Sequence, residues 1–180
     1  MSVRRIVQSA RSGGSPAEDA VLRTPARKVE VFDRSLVRLV GDLSDTMWAH
    51  PICVGLAAPQ IAVSAAVFVA NWRREDRSED LVAVNPEVLS TSGKKDRKRE
   101  SCMSVWGLTG EVERREKITL RFQDVHGATC ERTFEGFAAR VVHHEVAHLQ
   151  GVLFADQLRP GAELAPTPLF DGLVNADGVE

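Results

Sequence analysis

The chain has 180 residues, of which 43% are hydrophobic and 27% charged, and its formal net charge at pH 7 is −2. These values are typical of one globular domain with a sizeable core. A charge so close to zero gives no electrostatic reason to expect nucleic acid or a membrane surface as a partner. No apolar run approaches the roughly 18 residues of a membrane span, and none follows the N-terminal arginines, so we expect neither a membrane span nor a signal peptide.

The N-terminal part predicts a flexible segment and then a helix. Residues 1–20 are small and polar and contain the interruption SGGSP at 12–16, so we expect them to be flexible. From Asp33 to about Ala49, apolar residues recur at helical spacing and predict an amphipathic helix. The helix is expected to end at His50, because the residue before a proline is disfavoured in the α conformation.

The middle of the chain predicts β-strands. Apolar runs at 65–70 and 81–86 indicate two buried strands, and two further strands are predicted at 110–114 and 117–124. The charged run at 94–99 follows a Thr-Ser-Gly turn signal, so we expect it to form a solvated hairpin tip. A nucleic-acid patch is the minor alternative for this run.

The C-terminal part predicts a turn, a helix and a tail. His126-Gly127 indicates a turn, and residues 134–150 have helical periodicity, with Gly151 placed as a C-terminal cap. Three prolines after Leu158 predict an irregular or disordered tail over 159–180. We expect one catalytic domain over residues 1–158.

Strands do not alternate with helices along the chain, which predicts an α+β fold rather than a doubly wound one. We expect antiparallel β-sheets packed around a central helix, the one predicted over residues 134–150, with an N-terminal amphipathic helix elsewhere in the fold.

That central helix carries the pattern His-Glu-x-x-His from His144 to His148. Two histidines four residues apart lie on one helix face and can hold one divalent metal. Glu145 can act as a general base toward metal-bound water, so the pattern predicts metal-assisted hydrolysis. His143 is not expected to be a ligand, because it points about 100° away from His144.

A catalytic site of this kind takes three protein ligands and leaves one position open. Cys102, between predicted strands, is the best candidate for the third ligand, although any one cysteine can instead be a small buried hydrophobic residue. Cys53 and Cys130 bring the cysteines to an odd number, which favours free thiols or metal ligands over disulfides. We therefore expect a cytoplasmic protein.

Three segments, in this order, resemble the signature motifs of the peptide deformylase family. Residues 53–60 (CVGLAAPQ) resemble Gly-x-Gly-Leu-Ala-Ala-Pro-Gln, 100–104 (ESCMS) resemble Glu-Gly-Cys-Leu-Ser, and 143–149 (HHEVAHL) resemble Gln-His-Glu-x-Asp-His-Leu. The similarity covers roughly residues 20–158. Three ordered motifs are far more specific than one.

The resemblance implies a metal held by Cys102, His144 and His148. Ferrous iron is typical of the family, and zinc, nickel or cobalt can substitute. Glu145 would take a proton from the metal-activated water and deliver it to the leaving amine. The substrate would be an N-formylated peptide, or a related small molecule, that loses its formyl group as formate.

The resemblance also implies further site residues. Gln60 and the backbone N–H of Met103 would stabilise the oxyanion on the formyl carbon. Backbone groups of Val54 and Gly55 would pair with an extended peptide. The residues expected to contact the substrate are Val54, Gly55, Ser101, Met103 and Val141. We expect no direct nucleic-acid binding and no membrane binding. Ribosome association is possible for such a protein, but nothing in the sequence indicates it.

Four positions depart from the family pattern. Cys53 and Ser101 replace glycines, and we expect both to narrow the available backbone angles. Ala147 replaces an aspartate, which should weaken the anchoring of the metal-binding helix. Trp106 stands where many members have proline. A deformylase with an altered pocket is therefore expected.

Two alternatives use the same residues differently. One is a His-Glu-x-x-His metallopeptidase, although Asp156 is the nearest downstream carboxylate for its third ligand. The other is a deformylase-like module that holds metal or peptide without turnover. The loss of metal on removal of Cys102, and the release of formate, would separate these alternatives from a deformylase.

Overall fold

The structure, a computed structural model, describes residues 2–173 and consists of three α-helices, six strands and short 3-10 turns. The helices and strands are, in chain order, α1 Pro16–Arg23, α2 Arg34–Ala49, β1 Gly55–Ala57, β2 Val67–Ala70, β3 Leu81–Cys102, β4 Val105–Gln123, β5 Thr129–Glu135, α3 Gly136–Leu149 and β6 Ala165–Pro166. None of the helices in the described range is long and apolar enough to cross a membrane.

All strand pairs are antiparallel. The sheet order is β1-β2-β3-β4-β5, and β6 pairs with β4 beside this path. Each strand of the path therefore pairs with the next strand along the chain, as short connections allow in an antiparallel sheet. The predicted α+β class with antiparallel strands is confirmed.

The long hairpin of β3 and β4 corrects two predictions. The charged residues 94–99 lie along β3 and not at a hairpin tip, and the predicted strands 110–114 and 117–124 are parts of the one strand β4. The turn signal before the charges is a bulge, because the register shifts between Ser92 and Lys95 around Gly93, whose φ is +79°. Glu113 stabilises the extended charges by pairing with Lys95 and Arg97.

The hairpin instead turns at Met103 and Ser104, and both residues are buried. A turn that enters the interior carries the preceding residue, Cys102, with it. The hairpin tip is therefore a part of the core next to α3, and the charged residues 94–99 precede this buried end on the same strand.

The helix α2 forms where the periodicity predicts it. Asp33 caps its first turn by accepting a hydrogen bond from the Ser35 N–H at 2.7 Å, and His50 is its C-cap. Leu36, Leu43 and Met47 form its buried face. Burial of this face against β1 and β2, more than helix propensity alone, stabilises such a helix.

The helix α3 begins two residues later than predicted, because Phe134 belongs to β5, a strand that the sequence analysis missed. Gly136, with φ +60°, makes the turn between β5 and α3. Gly151, with φ +74°, follows the helix as predicted, and a Cβ there would lie 2.3 Å from the Arg23 carbonyl oxygen. Val142 and Val146 pack α3 onto the sheet.

Both ends of the described chain contact the core. Val7 is buried and its N–H donates to the Gln60 carbonyl at 2.9 Å, while the Ser9 N–H donates to the Ser104 carbonyl at 2.8 Å. Over 159–173 the predicted tail contains only β6 and a 3-10 turn at Pro168–Phe170. The rest of the predicted tail, residues 174–180, lies outside the described residues.

Candidate active site

Three ligand atoms from two elements meet in the interior. Cys102 ends β3, and His144 and His148 lie one turn apart on α3. Their donor atoms all lie within 4.8 Å of one another, and Cys102 Sγ is 3.2 Å from His148 Nε2. Their spacing and chemistry fit one divalent cation of the thiolate- and imidazole-binding class.

A buried carboxylate orients one of these histidines. Glu100 Oε2 lies 3.1 Å from His144 Nδ1, which leaves Nε2 of His144 for the cluster. Arg114 donates to both oxygens of Glu100 at 3.0 and 2.8 Å, and Arg140 donates at 2.7 Å. Burial by itself would raise the pKa of Glu100, but hydrogen bonds from His144 and Arg114 outweigh burial and hold the pKa well below its usual range.

Arg114 and Arg140 were not predicted from the sequence as residues of the site. Arg140 precedes His144 by one helical turn, and Arg114 lies on β4, 14 residues from Glu100. The only local signal was the spacing of Arg140 on the helix, and nothing in the sequence around Arg114 separates it from the exposed arginines nearby. Both arginines are buried here because Glu100 compensates their charge.

Glu145 lies in the same interior with a free oxygen. It is 3% exposed, and within residues 2–173 no group hydrogen-bonds its Oε2. Burial raises its pKa to about 7, partly countered by His144. Gly55 makes room for it: a Cβ on Gly55 would lie only 2.5 Å from Glu145 Oε1.

Gln60 presents its amide N–H₂ group to the cluster. Its Oε1 accepts the Ala57 N–H at 2.9 Å, which sets the orientation of the amide in the 3-10 turn Ala58–Ile61. Its Nε2 then lies 3.5 Å from Cys102 Sγ and 3.3 Å from Ser104 Oγ. Such a preset donor can stabilise negative charge that develops beside the cluster.

A cavity of about 390 Å³ opens onto these groups. Every residue predicted for catalysis or substrate contact lines it, whereas the metal-ligand candidate His148 is buried beside Cys102 and is not part of the lining. The predicted residues in the lining are Val54, Gly55, Gln60, Ser101, Cys102, Met103, Val141, His144 and Glu145. Residues that the sequence analysis did not place here include Phe137, Leu169 and Phe170.

The structure also shows how the four residues that depart from the family pattern are accommodated. Cys53 and Ser101 do not have positive φ, so the expected restriction of backbone angles costs nothing at either residue. Trp106 packs against Phe170, with ring centroids 4.5 Å apart. Ala147 is buried, and in the described chain His148 Nδ1 has no hydrogen-bond partner.

His143 is not part of the cluster. Burial lowers its pKa to about 4, so it is neutral at pH 7, and Nε2 has no hydrogen-bond partner among the described residues. The cluster therefore uses the second and third histidines of residues 143–148, as the helical geometry predicts.

Comparisons with known proteins point to one family. The profile of the family described as polypeptide deformylase matches residues 15–163. The chain is 42% identical over 138 residues to the peptide deformylase of Pseudothermotoga lettingae, covering 77% of each chain. Its fold is similar to crystal structures of peptide deformylases from Legionella pneumophila (TM-score 0.78, 40% identity, 88% of each chain) and Thermotoga maritima (TM-score 0.78, 32% identity, 89% of this chain and all of the other).

Proposed function

Because the chain belongs to the polypeptide deformylase family, we propose that it hydrolyses the formamide bond at the N-terminus of N-formylated peptides. The products are formate and a peptide with a free amine. The observation that carries the proposal is the meeting of Cys102, His144 and His148 beside the buried Glu145 in one cavity.

The donor set supports a bound divalent metal ion. One thiolate and two imidazoles suit ferrous iron, which we propose as the native ion, and also zinc, nickel or cobalt. The Glu100 carboxylate contacts His144 Nδ1, so His144 would hold such an ion through its Nε2. When bound, the ion supplies Lewis acidity toward water and the formyl carbonyl.

Glu145 serves as the proton carrier in this proposal. It takes a proton from the water that attacks the formyl carbon, and the water oxygen enters the formate. It then gives the proton to the amine nitrogen as the carbon–nitrogen bond breaks. Its unpartnered Oε2 and its place beside the cluster support this role.

Gln60 and Met103 stabilise the oxyanion. The Nε2 of Gln60 already points toward Cys102, and Met103 lies in the buried hairpin turn directly after that residue. The Met103 carbonyl accepts a hydrogen bond from Gln8 Nε2 at 2.8 Å, which anchors the turn. Donors held before the reaction lower the barrier because they need not reorganise.

The substrate enters as an extended strand. β1 is at the end of the strand path, so Gly55 and the preceding Val54 offer backbone groups to an added peptide strand. Ser101, Met103 and Val141 line the space for the first side chain. We assign catalysis to residues 1–158, and the free state of all three cysteines supports a cytoplasmic location.

Within residues 2–173, no carboxylate joins His144 and His148 as the third ligand that the metallopeptidase alternative requires. Asp156 forms ion pairs with Arg23 and Arg11 and accepts the Leu153 N–H, so its carboxylate is engaged away from the cluster. Cys102 occupies that place instead. The grouping of the proposed ligands, the proposed base Glu145 and the proposed oxyanion donor Gln60 at one cavity favours an enzyme over a module without turnover.

Formate release from formyl-Met-Ala by metal-loaded protein tests the function. Wild-type protein is expected to release formate, and Glu145→Gln is expected to bind metal while losing at least 100-fold in kcat. Cys102→Ala is expected to lose bound metal. Absence of formate from formyl-Met-Ala and from other N-formyl compounds would refute the hydrolase.

A further inference from the structure

One wall of the cavity is a short C-terminal segment, residues 165–170, here named the C-terminal strap. Thr167, Leu169 and Phe170 of this strap line the cavity together with Cys102 and Glu145. The strap lies beyond residues 15–163, the part of the chain that the family profile matches. The family resemblance therefore assigns it no role.

The strap is held in place at three points. Its first two residues form β6, which pairs with β4. The Thr167 N–H donates to the Gly107 carbonyl at 2.9 Å. Phe170 is 5% exposed and packs against Trp106. Because both sides of Leu169 are anchored, its position at the cavity is set by the fold.

The mouth of the cavity presents two apolar side chains to solvent. Phe137 is 56% and Leu169 49% exposed, and they are two of the six large hydrophobic side chains exposed among residues 2–173. Both line the cavity whose inner end holds the buried Glu145. Exposed apolar groups at the mouth of a functional cavity favour an apolar ligand group there.

We propose that Leu169 and Phe137 bind the apolar side chains that follow the formylated residue of a peptide substrate. The inference rests on the proposed deformylase function. A linear peptide whose formyl carbon lies beside the buried Glu145 has to leave through the solvent-facing end of the cavity, where these two side chains lie. The strap thus makes the enzyme select for apolar second and third residues.

The test compares two substrates in each variant. Formyl-Met-Leu-Leu and formyl-Met-Gly-Gly amides share the reacting group and differ only in what reaches the mouth. In Leu169→Ser, the ratio of kcat/KM for the Leu peptide to that for the Gly peptide is expected to fall about fivefold to tenfold, as the loss of part of one apolar contact implies. This fall in kcat/KM is expected to come from a higher KM for the Leu peptide at unchanged kcat, because the contact is equally strong in the ground state and the transition state.

Two further variants sharpen the result. Phe137→Ser is expected to lower the same ratio. The double variant, Phe137→Ser with Leu169→Ser, is expected to lower the ratio by less than the product of the two single effects, because both side chains contact the same group of the ligand. Val88→Ser, at a 39% exposed position outside the cavity lining, is the matched control and keeps the wild-type ratio.

The possible results distinguish a failure of the proposed strap role from a failure of the proposed deformylase activity. If the Leu-to-Gly ratio of kcat/KM falls by less than fivefold in Leu169→Ser, the proposed role of the strap is wrong. Formate release by the wild type would then still support the deformylase. Release of formate from neither peptide by the wild type refutes the deformylase, and the role of the strap with it.

Discussion

At the scale of single residues, Gly55 matters because of the space it leaves. A Cβ at this position would lie 2.5 Å from Oε1 and 2.9 Å from the carboxyl carbon of Glu145, and Glu145 is buried. The carboxylate would therefore have to move away from the position in which it faces the cavity.

We predict that Gly55→Ala lowers kcat at least tenfold, because a small displacement of a proton carrier is costly. Formate release measures the loss. Metal content measured on the same samples is expected to stay at the wild-type level, since no metal ligand is touched. Unchanged kcat would show that Glu145 tolerates the displacement or does not carry the proton.

Glu100 links the metal ligands to two buried cations. Its carboxylate is shared by His144, Arg114 and Arg140, and 14 and 40 residues separate it from the two arginines. Removing its charge leaves Arg114 buried without the carboxylate that pairs with it, and leaves Arg140 with only the Asp96 carboxylate, 3.9 Å away. An uncompensated buried charge of this kind costs about 3 kcal/mol or more.

Glu100→Gln is therefore predicted to destabilise the protein by about that amount and to weaken metal binding by roughly 10- to 100-fold. Urea unfolding and competition with a chelator measure the two effects. The matched control is Glu113→Gln. The Glu113 side chain is 34% exposed and pairs with Lys95 and Arg97 on the surface, so its loss should change the unfolding free energy much less than the loss of the buried Glu100 charge does. Equal losses in both variants would contradict the role of Glu100.

At the scale of elements, α1 depends on a capping box. Glu18 accepts hydrogen bonds from the Ser15 backbone N–H and hydroxyl, and Ser15 caps the Glu18 N–H in return. These bonds lower the pKa of Glu18 to about 2. A pKa that is lower in the folded than in the unfolded state stabilises the fold above the unfolded value, and the gain is lost as the pH falls toward the folded value.

We predict that wild type exceeds Glu18→Gln in unfolding free energy by about 1 kcal/mol at pH 6, because hydrogen bonds to a charged carboxylate are stronger than hydrogen bonds to a neutral amide. The difference is expected to shrink as the pH falls from about 4.5 toward 2, where Glu18 becomes protonated. Urea unfolding of both proteins at pH 6 and pH 3 measures it. The exposed Glu30→Gln controls for loss of one negative charge, and a constant difference for Glu18→Gln would contradict the cap.

The β3–β4 hairpin shows where local patterns mislead about an element. The charges at 94–99 and the preceding Gly93 look like a tip, yet Gly93 makes a bulge and the strand continues to Cys102. A glycine with positive φ serves a turn and a bulge equally well. Only pairing with the full length of β4 decides between them.

At the scale of the whole molecule, the metal would join β3 to α3. A ligand that binds only the folded chain stabilises it, by about 4 kcal/mol when the free concentration is 1,000 times Kd. We predict that removing the metal with a chelator lowers Tm by roughly 10 °C, and that the difference disappears in Cys102→Ala. Calorimetry with and without chelator measures it. An equal shift in Cys102→Ala would mean that the ion binds elsewhere.

The sequence by itself determined the features that depend on neighbouring residues. Apolar spacing and the Asp33 cap predicted α2, Gly151 was placed after α3, and the spacing of His144 and His148 required one helix face. These features follow from backbone geometry over a few residues, so local patterns are sufficient. Cys102 was the best candidate for the third ligand from the residues alone, and the family motifs added Gln60.

Only the tertiary structure decided how distant residues meet. Cys102 reaches His148 across 46 residues because the hairpin turns inside the core, and Arg114 and Arg140 converge on Glu100 from a strand and a helix. Leu169 reaches the cavity from a tail predicted to be irregular. Such contacts depend on strand register and on which surfaces are buried together, and no local pattern contains either.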